Sequence, residues 1–114
     1  MSENIGDPDM LNKLNDLTIK VSEGIKLMGG YGKDLAKAER AYKIALAKEV
    51  VRMRDNDVPV TLIQLRVHGT GEVANLRFKR DFAKAMYETS KENINVLKLQ
   101  IRLLESQIDR EWKG

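Results

Sequence analysis

The amino-acid sequence predicts an all-α fold: a long antiparallel helical hairpin with a kinked first helix, assembling into a helical-bundle homo-oligomer. The first observation behind this prediction is a seven-residue repeat of apolar or small residues in the N-terminal half, which is typical of one long helix packed along a seam. The repeat has two series, Leu14, Val21, Met28, Leu35 and Tyr42, and Leu17, Gly24, Tyr31, Ala38 and Ala45.

The second observation is a pair of apolar stripes on opposite sides of the predicted C-terminal helix. One stripe forms an ordinary core face and comprises Ile94, Leu97, Ile101, Leu104 and Ile108. The other lies about 140–200° away at 100° per residue and includes Ala85. Because one partner helix covers only one stripe, we expect the second to contact another subunit. The predicted oligomer interface is Phe78, Val96, Leu99, Leu103 and Trp112.

Local signals divide residues 1–114, which we interpret as one helical domain, into four segments. We expect residues 1–7 to form a flexible N-terminus and the first long helix to span 8–54, because Asp7 is a good N-cap and Pro8 fits the first helical position. The repeat keeps its phase across Gly29, Gly30 and Gly32, so we expect a kink near 29–32 in a continuous helix. Residues 55–70 connect it to the second long helix, 71–112.

The connection carries turn and capping signals of its own. Asn56 tolerates the left-handed conformation at a helix C-cap, and Pro59 holds the preceding residue extended. Thr61 and Gln64 have the spacing of a capping box, which predicts a short helix around residues 62–67. Thr70 is suited to cap the second long helix.

Composition narrows the classes of function. The chain has no cysteine, which excludes disulfides, thiolate metal sites and cysteine nucleophiles. Since the sequence also lacks a zinc-protease motif, a P-loop and a nucleophile elbow, we expect no enzyme, catalytic residue, metal or cofactor. The net charge of +3 is smaller than dedicated nucleic-acid binders usually show, so nucleic-acid binding stays an open alternative. With no membrane span or signal peptide in the sequence, we expect a cytoplasmic protein.

Basic and hydroxyl side chains concentrate around the connection. Guanidinium groups near a helix N-terminus are a common way of binding phosphate, and glycines let a ligand approach the backbone. The predicted ligand-binding residues are Arg54, Thr61, Arg66, His68, Thr70, Gly71, Arg77 and Arg80. The alternative is that carboxylates neutralise these arginines in ordinary ion pairs, of which Arg77 with Asp81 is the obvious one. A lone loop histidine such as His68 is usually just solvent-exposed.

Two segments carry a resemblance to a known group of proteins. They are residues 58–63, VPVTLI, and residues 73–81, VANLRFKRD. Through them, residues 35–112 resemble small helical proteins encoded by early genes of tailed phages and prophages of Gram-positive bacteria, a group without a settled function. The resemblance implies a viral origin and action inside the host cell, and it transfers no catalytic residue.

The sequence hypothesis is therefore a non-enzymatic phage protein that counteracts host defence by sequestering a phosphate-bearing nucleotide signal. That role comes from the context of small early phage proteins. One alternative is a protein–protein inhibitor or adaptor of a host enzyme such as a nuclease. Another is weak nucleic-acid binding during phage recombination or replication.

Overall fold

The computed structural model describes residues 8–113, and 95% of the chain that it describes is helical, without a strand in that part. The long helix α1 spans Pro8–Asp55, the short helix α2 spans Val60–Arg66, and the long helix α3 spans Gly71–Lys113. A 3₁₀ turn, Val67–Gly69, follows α2 directly. The all-α prediction is confirmed. The predicted flexible N-terminus, residues 1–7, and the Asp7 cap lie outside the described residues.

The helix α1 ends in a Schellman motif. Asp57 adopts the left-handed conformation with φ 58°, and its backbone N–H donates to the Arg54 carbonyl at 3.0 Å. The next N–H, that of Val58, donates to the Met53 carbonyl at 3.0 Å, and the Val58 side chain packs on the cluster that contains Met53. The sequence expectation placed Asn56 in this left-handed role, but Asn56 instead bonds the Arg52 carbonyl through its side-chain nitrogen at 3.0 Å.

The short helix begins earlier than the capping-box spacing predicts. Pro59 is the N-cap residue, its carbonyl accepts from the N–H groups of Leu62 and Ile63 at 2.9 and 3.0 Å, and no side chain caps the helix. The prediction of a Thr61–Gln64 capping box is therefore wrong, because Thr61 already lies inside the first turn of α2. Pro59 adopts φ −57° and ψ 140°, and its ring fixes this φ, so the residue before the helix has little conformational freedom to lose.

The described residues form two compact units. The central unit comprises residues 30–88, and the terminal unit comprises residues 8–29 and 89–113. The core of the central unit consists of two clusters, Tyr42, Ala45 and Val73, and Met53, Ile63 and Val67. Leu46 packs against both of them. The buried large apolar residues of the terminal unit are Met10, Ile94 and Leu104.

The predicted seam follows the burial pattern closely. All ten residues of the two heptad series are buried or half-buried, as are the five residues of the predicted core stripe on α3. Two glycines permit close approach to α3. A Cβ atom on Gly24 would lie 3.1 Å from Ile94 Cγ1, and one on Gly32 would lie 3.4 Å from Tyr87 Cε1. A Cβ on Gly29 or Gly30 would contact nothing within 4 Å.

Candidate functional site

Three residues that are distant in sequence meet in the central unit. The Tyr42 hydroxyl lies 3.2 Å from His68 Nδ1, and the two rings stack with centroids 6.4 Å apart and planes 29° from parallel. Arg80 lies over the ring of Tyr42, with its guanidinium carbon 4.8 Å from the ring centroid, in a cation–π contact. The structure thus brings two predicted ligand-binding residues, His68 and Arg80, onto a tyrosine that the sequence pattern assigned only to the seam.

His68 is half-buried and hydrogen-bonded, which differs from the solvent-exposed loop histidine that the sequence alternative described. The 3₁₀ turn positions it: Thr70 N–H donates to the Val67 carbonyl, and Val67 is 2% exposed. Since Val67 is anchored in the core, the adjacent imidazole is held beside α1. The neutral imidazole accepts from the Tyr42 hydroxyl when its proton is on Nε2.

The ion pairs around α3 differ from the sequence alternative. Asp81 accepts a hydrogen bond from Arg80 Nε at 2.7 Å, so its partner is the neighbouring residue and not Arg77. The same contact orients Arg80, whose guanidinium also lies over Tyr42. Arg80 is therefore engaged twice within the chain, and its side chain is only 24% exposed.

Three of the predicted ligand-binding arginines remain available to a ligand. Arg54 lies in the last turn of α1, Arg66 is the last residue of α2, and Arg77 lies in the second turn of α3. All three are exposed, and none forms an ion pair or a side-chain hydrogen bond with another residue between 8 and 113. No such contact joins them to one another or to the His68–Tyr42–Arg80 group within that range.

A fourth arginine near them is occupied. Arg52 Nε lies 2.9 and 3.1 Å from the two carboxylate oxygens of Glu49, and Arg52 Nη2 contacts Glu49 Oε1 as well. This hydrogen bonding lowers the pKa of the Glu49 carboxyl from its ordinary value. Arg52 therefore differs from Arg54, two residues later, which has no such carboxylate.

Of the predicted hydroxyl and backbone donors, Thr70 is hydrogen-bonded within the chain, and Thr61 and Gly71 are exposed. The Thr70 hydroxyl donates to the Val67 carbonyl at 2.9 Å, while the Thr70 carbonyl accepts from Ala74 N–H at 2.8 Å at the start of α3. Thr70 thus begins the helix through its backbone. Gly71 is exposed and has a negative φ, so the chain does not need glycine there for its conformation. Thr61 is exposed on α2.

The predicted interface residues are all exposed in the single chain. Phe78 is 70% exposed, Leu103 61% and Trp112 68%, and Val96 and Leu99 are exposed by nearly half. The terminal unit also has two open depressions between α1 and α3. Leu17, Leu103 and Leu104 contribute the apolar lining of one, and Leu11, Leu14, Ile108 and Trp112 that of the other. The sequence stripe did not include Phe82, which is 60% exposed one turn after Phe78.

Other classes of site have no support in the described chain. Within residues 8–113, no three histidine or acidic side chains cluster in a way that could hold a metal ion. No helix in that range is both long enough and apolar enough to cross a membrane. No protein-family model, curated protein or solved structure matches the chain.

Proposed function

We propose that this chain is a non-enzymatic binding protein: an antiparallel helical hairpin that self-associates and binds a phosphate-bearing ligand near the connection. The observation that carries the proposal is the group of exposed arginines, Arg54, Arg66 and Arg77, which have no carboxylate partner among the described residues. Guanidinium groups without an internal partner are available for bidentate bonds to phosphate oxygens.

The contacts within each unit support the hairpin. In the terminal unit, Leu14 of α1 lines a depression together with Ile108 of α3, and Gly24, further along α1, lies against Ile94, which is earlier in α3. In the central unit, Gly32 lies against Tyr87, and Tyr42, further along α1, packs with Val73, which is earlier in α3. Within each unit, residues later in α1 therefore contact residues earlier in α3, as antiparallel helices do.

Exposed apolar surface supports self-association. Val96, Leu99 and Leu103 share one face of α3 in the terminal unit and are exposed on a lone chain, and soluble monomers avoid such apolar patches. Phe78 in the central unit and Trp112 are exposed as well. Burial of these side chains against a second copy would stabilise the assembly, since each large apolar side chain contributes about 1.5–3 kcal/mol when fully buried.

The proposed biological role is sequestration of a nucleotide signal of host defence by a phage protein. Its support is the resemblance of residues 58–63 and 73–81 to early phage proteins, together with the unpaired arginines. A second candidate, an inhibitor or adaptor that binds a host protein, is favoured by exposed apolar side chains in the central unit. Leu65 is 77% exposed and Val60 68% on α2, and Phe78 and Phe82 are one turn apart on α3.

A thermal-shift screen tests the phosphate proposal. Inorganic pyrophosphate, ATP and cyclic dinucleotides are the probes, and a bound ligand raises the melting temperature by mass action. Arg77→Ala should weaken binding roughly ten- to a hundredfold, because one charge-assisted hydrogen bond contributes about 1.5–3 kcal/mol. Arg102→Ala is the matched control, since Arg102 is an exposed arginine of the terminal unit.

The pattern of results separates the candidates. Stabilisation that Arg77→Ala weakens and Arg102→Ala preserves supports phosphate binding by the central unit. Binding to DNA or RNA that falls steeply with salt favours the nucleic-acid alternative. If none of the probes stabilises the protein and Phe78→Glu abolishes capture of one defined host enzyme, the inhibitor candidate replaces the phosphate proposal.

A further inference from the structure

Six exposed residues of α3, all in the terminal unit, follow one another at alternating intervals of four and three residues. They are Glu92, Val96, Leu99, Leu103, Ser106 and Arg110. Such intervals correspond to positions a and d of a heptad, which form one narrow helix face that packs against another helix. We call this face the α3 stripe. It lies opposite the core stripe of the same helix, which is buried or half-buried against α1.

The α3 stripe has the same spacing when it is followed from either end. Its intervals are four, three, four, three and four residues, and its midpoint falls between Leu99 and Leu103. A two-fold axis through that midpoint would place a second copy antiparallel. Leu99 would then lie level with Leu103 of the second copy, and Val96 would lie level with its Ser106. The central two layers would consist of leucine only.

The charges at the two ends of the α3 stripe select this orientation. Glu92 and Arg110 are exposed, and neither forms an ion pair with another described residue. In the antiparallel pair, Glu92 of each copy would face Arg110 of the other. In a parallel pair, glutamate would face glutamate and arginine would face arginine. Juxtaposed like charges disfavour an interface, so the ends of the stripe discriminate between the two arrangements.

We infer that the partner of the α3 stripe is the α3 stripe of a second copy of this chain, antiparallel to it about a two-fold axis near residue 101. The inference rests on the proposed self-association and adds its orientation and register. The contact is isologous: one surface contacts its own counterpart and the interface closes at two copies. The terminal unit gains the most from it, because its own buried large side chains are only Met10, Ile94 and Leu104 among the described residues.

Charge reversal tests the ends of the stripe. Glu92→Arg and Arg110→Glu each put like charges at both ends of the dimer and should raise its dissociation constant about tenfold, because each end loses an ion pair and gains a repulsive contact. An equimolar mixture of the two variants pairs only opposite charges and should restore association. Glu105→Arg and Lys98→Glu reverse exposed charges away from the stripe and should leave the dissociation constant unchanged. Analytical ultracentrifugation measures each constant, and circular dichroism verifies the helix content.

Cysteine cross-linking tests the register independently of charge, because the natural chain has no cysteine. In the antiparallel register, position 92 lies level with position 110 of the second copy, whereas the two copies of either position lie about 27 Å apart at 1.5 Å per residue. A disulfide spans Cα atoms no more than about 7 Å apart. A mixture of Glu92→Cys and Arg110→Cys should therefore form a disulfide-linked dimer, and neither variant should do so alone.

The outcomes distinguish this inference from the broader proposal. If the protein sediments as a monomer at every concentration up to 100-fold above the micromolar range, both the antiparallel register and the proposed self-association are overturned. A chain that self-associates, yet cross-links through like positions or responds to Glu92→Arg no more than to Glu105→Arg, overturns the antiparallel register and leaves self-association standing. Cross-linking of position 92 only to position 110, with rescue in the mixture of charge variants, supports the inference.

Discussion

The central and terminal units are built from different parts of the same two long helices, yet they bury different numbers of apolar residues. The central unit buries six apolar residues, Tyr42, Ala45, Met53, Ile63, Val67 and Val73, and exposes six large ones, Ile44, Val51, Val60, Leu65, Phe78 and Phe82. The terminal unit buries three, Met10, Ile94 and Leu104, and exposes eight, Leu11, Ile19, Ile25, Leu27, Val96, Leu99, Leu103 and Trp112.

The difference follows from the short connection. Ile63 on α2 and Val67 in the 3₁₀ turn are 3% and 2% exposed, and both pack on Met53 of α1. A third segment therefore covers the side of α1 that α3 leaves open. The terminal unit has no such segment among the described residues, and two helices alone can shield only the faces that they turn toward each other. Small cores of this kind usually depend on added burial from a partner.

The largest expected effect tests the core of the central unit. Ile63→Ala should lower the free energy of unfolding by about 2–5 kcal/mol, because it removes a fully packed side chain and leaves a cavity. Chemical denaturation measures the change, which should not depend on protein concentration. Leu65→Ala, on the same short helix but 77% exposed, should change stability by less than about 0.5 kcal/mol. Equal effects of the two substitutions would mean that α2 does not close this core.

The next effect tests whether the terminal unit depends on a partner. Leu99→Glu combined with Leu103→Glu places charges at the centre of the proposed contact and should shift the protein to monomer, with a dissociation constant raised at least tenfold. Light scattering against concentration measures it. Leu27→Glu serves as the control, since Leu27 of α1 is 60% exposed and Leu103 is 61% exposed. A parent protein that stays monomeric up to the highest of the concentrations named above would contradict the dependence of the terminal unit on a partner copy.

A smaller effect tests the polar contact inside the central unit. Tyr42→Phe keeps the ring beneath Arg80 but removes the hydroxyl that lies 3.2 Å from His68 Nδ1. We expect a loss of about 0.5–1.5 kcal/mol in the free energy of unfolding, the net contribution of one hydrogen bond. Thermal denaturation of Tyr42→Phe, His68→Phe and the double variant measures the coupling between the two side chains. Additive losses would indicate that the two groups do not interact.

The smallest effect compares how tightly α1 and α3 pack in the terminal unit. Gly29→Ala should stabilise the protein by about 1 kcal/mol, because alanine is the better helix former and its Cβ would contact nothing within 4 Å. Gly24→Ala gains the same propensity, but its Cβ would lie 3.1 Å from Ile94 Cγ1. We therefore expect a smaller gain or a loss, measured by denaturant unfolding. An equal gain at both positions would show that Ile94 moves aside readily.

Local information in the sequence determines most of the fold. The heptad series and the core stripe of α3 depend only on spacing along one helix, and every one of those positions is buried or half-buried. Side-chain periodicity is therefore sufficient to predict which faces of these helices turn inward.

The candidate site depends on contacts that spacing does not encode. Tyr42 and His68 are 26 residues apart, and no sequence signal links a seam tyrosine to a histidine in a turn. Helical spacing suggested Arg77 as the partner of Asp81, but Asp81 pairs with Arg80, whose guanidinium also lies over the ring of Tyr42. The turn at Asp57 depends on where Val58 packs, which is again a tertiary property. Sequence reasoning identified the arginines but not which of them are already engaged.

The placement of the single tryptophan has an optical consequence. Trp112 is the only indole in the chain and lies in the terminal unit, 68% exposed beside Leu11 and Leu14. The tyrosines Tyr31, Tyr42 and Tyr87 all lie in the central unit. Indole emission shifts toward shorter wavelength as its surroundings lose water, so fluorescence excited at the red edge of absorption reports on the terminal unit alone. The native protein thus contains an intrinsic fluorescent probe, Trp112, that reports on the terminal unit without any added label.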